Sequence, residues 1–272
     1  MAKPQFIELD DGKSLQHIPI LYEDRSALAV DKPAGWMLVP FSWQNTNRNL
    51  MAALTSSIAA GDFWARSRGL KFLRNVHRLD ADTTGILLFA KSLGAVEPFT
   101  DLFETRHMDK IYLAVVLGVP KQPEWTCEAP LAPDPRQIGK VRVDFQEGKD
   151  AVTHFKVLQT RTTPTGPLTL VEAHPVTGRT HQIRVHLAHA GTPVTGDKLY
   201  GPASKNPGPT YSDGRPKRRP NVGPPEPLGL RSIYLAYRDP FQKRPVEIKA
   251  PTEAFLQQFG FPDALKAMPE KP

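Results

Sequence analysis

The densest run of reactive side chains is His77-Arg78-Leu79-Asp80-Ala81-Asp82-Thr83-Thr84-Gly85, two basic groups, two carboxylates and two hydroxyls in one short segment. It stands directly ahead of the apolar run Ile86-Leu87-Leu88-Phe89-Ala90. A carboxylate at the mouth of a buried strand is held by a rigid element, which suits a nucleophile or base beside a cation such as Arg78. The same acids also fit a turn in which Asp80 or Asp82 only accepts backbone amides. Spacing alone leaves both readings open.

A second constellation is Val176-Thr177-Gly178-Arg179-Thr180-His181-Gln182-Ile183-Arg184-Val185-His186, continuing through His189 to Gly191. Thr177, Gly178 and Thr180 can expose backbone N–H groups at a helix start, where anions bind, and Arg179 adds a charge suited to phosphate. Arg184 lies about one turn in from Thr180. A metal site built on His181, His186 and His189 would need acidic or thiol co-ligands at a spacing such as HExxH, which this segment lacks. Capped, hydrogen-bonded surface residues are the bland alternative. A third segment, Lys110-Ile111-Tyr112-Leu113-Ala114, puts a tyrosine on a strand, a position that is usually core. No Walker A loop, GxGxxG turn or GxSxG elbow occurs, which argues against the common nucleotide and acyl-transfer enzymes.

The elements that must position these groups follow from periodicity. Residues 18–22 and 27–30 read as short strands around a turn at 23–26, and the Pro and Gly of 31–35 break the second. Residues 50–60 read as a helix stopped by Gly61. The continuous run 86–90 predicts a central strand buried on both faces. A helical stripe follows Ser92 as N-cap, starting near Pro98 or kinked by it. Strands are expected at 111–117, 153–159, 168–174, 233–238 and 246–250, and helices at 180–190, with Gly191 beyond its end, and 252–259. Strands and helices mix without regular βαβ alternation, so the class is α+β with a mixed, largely antiparallel central sheet flanked by helices and loops. Residues 1–17 read as a loose lead-in, 18–260 as one domain and 261–272 as a tail. Within 201–227 lie eight Pro, four Gly and five Lys or Arg, a long basic loop from which no core can be built. It reads either as a phosphate-touching arm or as a passive insertion.

The chain has 272 residues, with 35 Lys plus Arg, 28 Asp plus Glu, one Cys and a formal charge of +7. That length buries enough surface to fold without staples, and lone Cys127 excludes a disulfide framework, a Cys-rich zinc site and a CxxC redox motif. No run approaches the ~20 apolar residues of a membrane span, and the start has no apolar signal region. The expectation is a soluble cytoplasmic protein. A pI near 9.5 favours acidic partners such as nucleic acid.

Taken in order, these segments resemble the RluA-type RNA pseudouridine synthases: Asp31-Lys32-Pro33-Ala34-Gly35, then residues 77–85, then 110–114, then the Thr177–Arg184 core, then Gly196-Asp197-Lys198-Leu199-Tyr200-Gly201. The resemblance covers roughly residues 18–260. It implies the pseudouridine synthase fold and an isomerase without metal or cofactor that detaches uracil from C1′ of a uridine in RNA, rotates it and rejoins it through C5. By the same resemblance Asp80 is the catalytic carboxylate, Tyr112 the tyrosine against the base and Arg184 the arginine paired with Asp80. It further implies RNA contacts from His77, Arg78, Thr84, Arg179, His181, Gln182 and Leu230, with His77, Arg78 and Arg179 on flanking phosphates. Asp82 falls to turn structure. The implied partner is ribosomal or transfer RNA, the implied state a monomer, and the domain starts too early for an S4-type RNA-binding domain ahead of it. Ala81 stands where the family commonly has Arg or Lys, and Arg231-Ser232 where it usually has His-Ala. Two other classes compete, a non-catalytic RNA-binding protein on the same fold and a carboxylate-dependent RNA glycosylase or nuclease. The latter usually needs two well-placed acids where one is evident.

Overall fold

In chain order the elements are β1 (Phe6–Asp10), β2 (Leu15–Glu23), β3 (Ala27–Lys32), α1 (Leu50–Ala60), α2 (Phe63–Arg66), β4 (Arg74–Asn75), β5 (Thr84–Ala90), α3 (Leu93–Glu104) and β6 (Met108–Leu117). There follow β7 (Glu124–Cys127), β8 (Leu131–Pro133), β9 (Val141–Val143), β10 (Thr153–Thr163), β11 (Gly166–Pro175), α4 (Gln182–His189), β12 (Leu230–Arg238), β13 (Pro245–Lys249) and α5 (Glu253–Phe259). The computed structural model describes residues 3–10, 14–38, 48–202 and 226–264. The basic segment with Arg215, Lys217, Arg218 and Arg219 lies outside the described residues. Among those described, no helix is long and apolar enough to cross a membrane.

One eleven-stranded sheet runs β1-β2-β3-β5-β12-β6-β11-β10-β7, with β13 paired to β12 and β4 to β5. Of its ladders only β12 beside β5 is parallel. The run 86–90 occupies the centre as expected: Leu87 and Phe89 pack into one apolar layer with Leu50, Leu54 and Trp64, while Ile86 and Leu88 face another with Phe99 and Ile248. The expected antiparallel, α+β character is therefore what forms. Gly85 makes the parallel junction possible. Its φ is +104°, and a Cβ there would collide with the Ser232 carbonyl of β12.

Two expectations change, and a third is decided between its alternatives. Residues 1–17 are not a loose lead-in: β1 pairs β2 in register from Phe6↔Pro19 to Asp10↔Leu15, and alternation buries Ile7 and Leu9. The C-terminal tail does not start at residue 261, because Phe261 is 1% exposed and packs with Phe255 and Leu256. Helix α3 begins at Leu93 and carries Pro98 inside it, a position where proline withdraws one amide bond.

Candidate active site

The sheet centre gathers the reactive residues. Asp80 sits in the loop feeding β5. Tyr112 lies on β6 opposite Ser232 of β12, and Arg184 projects from α4. Together they line a cavity of about 350 Å³. Arg184 Nη1 donates to Asp80 Oδ2 at 2.8 Å, across 104 residues of chain. The two-pronged grip of this guanidinium goes to a different acid. Arg184 Nε and Nη2 donate to Asp197 Oδ2 and Oδ1 at 2.7 and 2.9 Å.

Asp197, whose side chain is fully buried, also accepts the Leu199 and Tyr200 amides. Burial works against its charge, but the Arg184 bonds hold its carboxyl below the usual range. Conversely, bonds to both acids raise Arg184 despite its burial. The guanidinium thus stays charged and is fixed from behind before it touches Asp80. The Tyr200 ring lies under it at 5.2 Å.

The segment 31–35 supports the Asp80 loop from the other side. Lys32 is fully buried and its Nζ donates to the carbonyls of Pro33, Ala81 and Thr83 at 3.0, 2.7 and 2.9 Å, while the Gly35 amide also donates to Ala81. Burial drives its ammonium down to about 7 against the pull of Asp82 and Asp80. Lys32→Met withdraws three bonds and is expected to cost about 2–3 kcal/mol at pH 7, read by thermal or denaturant unfolding. Lys32 binds its proton less tightly folded than unfolded, so its contribution to stability rises between pH 7 and about 10. Lys32→Met loses that rise. Arg231, at the position of the departure from the family pattern, forks onto Asp31 at 2.9 and 2.6 Å and onto the Pro251 carbonyl, tying β12 to β3.

Tyr112 is buried. Burial, with the Asp80 charge, pushes its phenol up to about 12, and a hydrogen bond from Ser232 opposes this, so the ring is neutral at the cavity wall. Leu230, Arg78, Arg179 and His181 line the cavity, with Arg78 and Arg179 exposed at its rim.

Three expected RNA contacts change character. His77 lines the cavity, but its Nε2 accepts the Leu88 amide at 3.0 Å and its ring stacks on Phe103. Burial and the Lys110 charge lower it to about 3, so it is a neutral wall and not a phosphate cation. Thr84 does not line the cavity, which Thr83 lines instead. Gln182 has its polar atoms committed to Thr177, Arg179, Val152 and Thr153, and so stiffens the 177–182 loop. Both ring nitrogens of His186 are likewise taken, by Thr153 and Ala129.

Residues 26–189 match the RNA pseudouridylate synthase family. The chain belongs to that family. It is 36% identical over 206 residues to an RNA pseudouridine synthase of Bacillus subtilis, covering 74% of this chain and 65% of that one. It is 37% identical over 206 residues to a "ribosomal large subunit pseudouridine synthase D" of Xanthomonas campestris, covering 74% and 57%. The chain thus spans less than two thirds of either relative. Its fold superposes on human RNA pseudouridylate synthase domain containing 1 with a TM-score of 0.62 at 25% identity, over 94% of this chain and 97% of that one. The fold is that of the pseudouridine synthases.

The family's cavity in this chain rests on residues that sequence reasoning left without roles. Lys32 and Asp197 fall inside the segments that carry the resemblance, and what marks them is a need. A buried guanidinium requires a second acid once its first partner faces solvent.

Proposed function

We propose that the protein isomerises uridine to pseudouridine in RNA, with Asp80 as the reacting carboxylate. One observation carries this reading. Asp80 is held by Arg184 through a single oxygen, Oδ2, so that Oδ1 is left for chemistry in a cavity walled by Tyr112. A uridine must leave its stack to reach that oxygen, at a cost of a few kcal/mol, and stacking on Tyr112 returns about 1–3 kcal/mol. The glycosidic N1–C1′ bond breaks, the base turns, and C5 replaces N1 on C1′ while the C5 proton passes to N1. Atoms and oxidation state are conserved, so the reaction calls for no redox partner.

The catalytic unit runs from β1 through Phe261, and it acts as a cytoplasmic monomer on ribosomal or transfer RNA. The name of the Xanthomonas relative makes large-subunit rRNA the first substrate to test. Purified protein is incubated with large-subunit rRNA and tRNA transcripts and pseudouridine is mapped. No new pseudouridine in either pool would overturn the reading.

Arg78 and Arg179 are the rim cations of this reading. Replacing both with Ala should reduce the slope of log K against log salt by roughly 1.4–1.8, two phosphate contacts' worth. His77→Ala, which removes no charge, should leave the slope unchanged.

A further inference from the structure

The two oxygens of Asp80 meet different partners. Oδ2 takes the Arg184 bond, whereas Oδ1 faces His181 Nε2 at 3.7 Å. His181 precedes α4 with φ of 55°, a left-handed backbone that a β-carbon disfavours. Such a conformation persists only where surrounding contacts impose it, which happens most often at functional sites. The imposed feature is the ring's placement. Its side chain is 8% exposed, its Nδ1 lies 2.8 Å from the Tyr200 hydroxyl, and the two rings meet edge-on.

Those contacts select a tautomer. Tyr200 Oη already accepts the Val141 amide at 2.9 Å. Burial pushes the phenol up to about 12, so it keeps its proton. Donated to His181 Nδ1, that proton leaves the imidazole's own proton on Nε2, the nitrogen that faces Asp80. The Asp80 charge favours the same arrangement. Charges facing the imidazole come from the Asp80 loop (Asp80 and Arg78), from α4 (Arg184) and from the loop beyond it (Asp197). Asp80 is itself faced by Lys32 of β3 and Tyr112 of β6. Burial outweighs the two acids and keeps the imidazole below its usual value, hence neutral at pH 7.

We propose that His181 is a positioning residue, a neutral hydrogen-bond donor to the reactive Oδ1 of Asp80, kept in its Nε2–H tautomer by Tyr200. The inference rests on Asp80 being the reacting carboxylate. Arg184 fixes one oxygen with a full charge, and His181 aims the other without adding a second charge that would blunt it. Catalytic hydrogen bonds that are long in the free enzyme tighten when substrate is seated, which is how the 3.7 Å gap is used.

Two measurements test it. Nitrogen NMR of histidine-labelled protein at neutral pH, with the His181 signals assigned by their loss in His181→Gln, should show a protonated Nε2 and an unprotonated Nδ1. Tyr200→Phe should move them toward a tautomer mixture. A protonated Nδ1 in the wild type overturns the proposal. On the transcript that the wild type modifies, His181→Gly suits the left-handed backbone and removes the ring. Its kcat should fall about 10- to 100-fold, the size of a hydrogen bond to a charged group, with KM nearly unchanged. His181→Gln, which restores an N–H donor, should recover much of that loss. Equal losses in both variants, or a loss carried in KM, overturn the proposal. Asp80→Asn in the same assay tests the underlying reading separately, because the NMR result does not depend on turnover.

Discussion

Asp80→Asn is expected to abolish pseudouridine formation, by about 10⁴-fold or more, while the protein stays folded. The variant keeps the size of the side chain and an oxygen that can still accept from Arg184 Nη1 at the 2.8 Å position. Arg184 keeps its two bonds to Asp197, so no buried charge is stranded. Stability should therefore change by only about 1–2 kcal/mol, the cost of weakening one charged hydrogen bond. What disappears is the ionised oxygen that faces the cavity, and an amide supplies neither a nucleophile nor a base there. Asp82→Asn is the matched control. Asp82 is about half-exposed and, among the described residues, its ion pair is with Lys198, at 3.8 Å, so activity should stay near that of the wild type. The pair of variants decides between two acids that spacing alone could not separate. If Asp80→Asn turned over at even a few per cent of the wild-type rate, the carboxylate would be a turn residue after all.

The parts of this molecule that were legible in advance are those whose signal is local. The continuous apolar run before Ala90 needs burial on both faces wherever it lies, and it forms the centre of the sheet. Gly61 ends α1 as a left-handed cap because its neighbours supply a helix to end. β1, by contrast, has three apolar residues among five, of which only Ile7 and Leu9 are buried, and only pairing with β2 makes a strand of it. β7, β8 and β9 are three or four residues long and carry too little period to detect. The site divides the same way. Asp80, Tyr112 and Arg184 are identified by their ordered motifs, and the cavity brings all three together. Lys32 bonds to carbonyls 49 and 51 residues away, and Asp197 matters through Arg184, so their contributions exist only once the chain has folded. His77 differs for a related reason. A histidine reads as basic in sequence, but burial within the fold and the nearby Lys110 charge keep it neutral, with Nε2 free to accept the Leu88 amide.

Arg184 is the residue whose loss should damage both stability and activity. Arg184→Ala leaves the Asp197 carboxylate fully buried with only two backbone amides, a stranded charge expected to cost about 3–5 kcal/mol of stability. Arg184→Lys preserves charge but not geometry. One ammonium cannot fork onto Asp197 and still reach Asp80, so activity should fall by at least about 10²-fold with a smaller loss of stability. Asp197→Asn separates the two functions, since the amide still accepts from Leu199 and Tyr200 but no longer anchors the guanidinium electrostatically. The folded value of Asp197 lies below the unfolded value of about 3.9, so the pair stabilises the fold fully above about pH 5 and loses its effect as the pH falls through the lowered value. Asp197→Asn should therefore flatten the acid side of the stability profile and also lower kcat, because an Arg184 freed from Asp197 is no longer aimed at Asp80. If Arg184 served only to neutralise Asp197, the kinetic effect would be absent while the stability effect remained. If it served only Asp80, the acid profile would not change. Both changes together, with less than additive loss in the Arg184→Ala/Asp197→Asn double variant, are what one guanidinium shared between two acids requires.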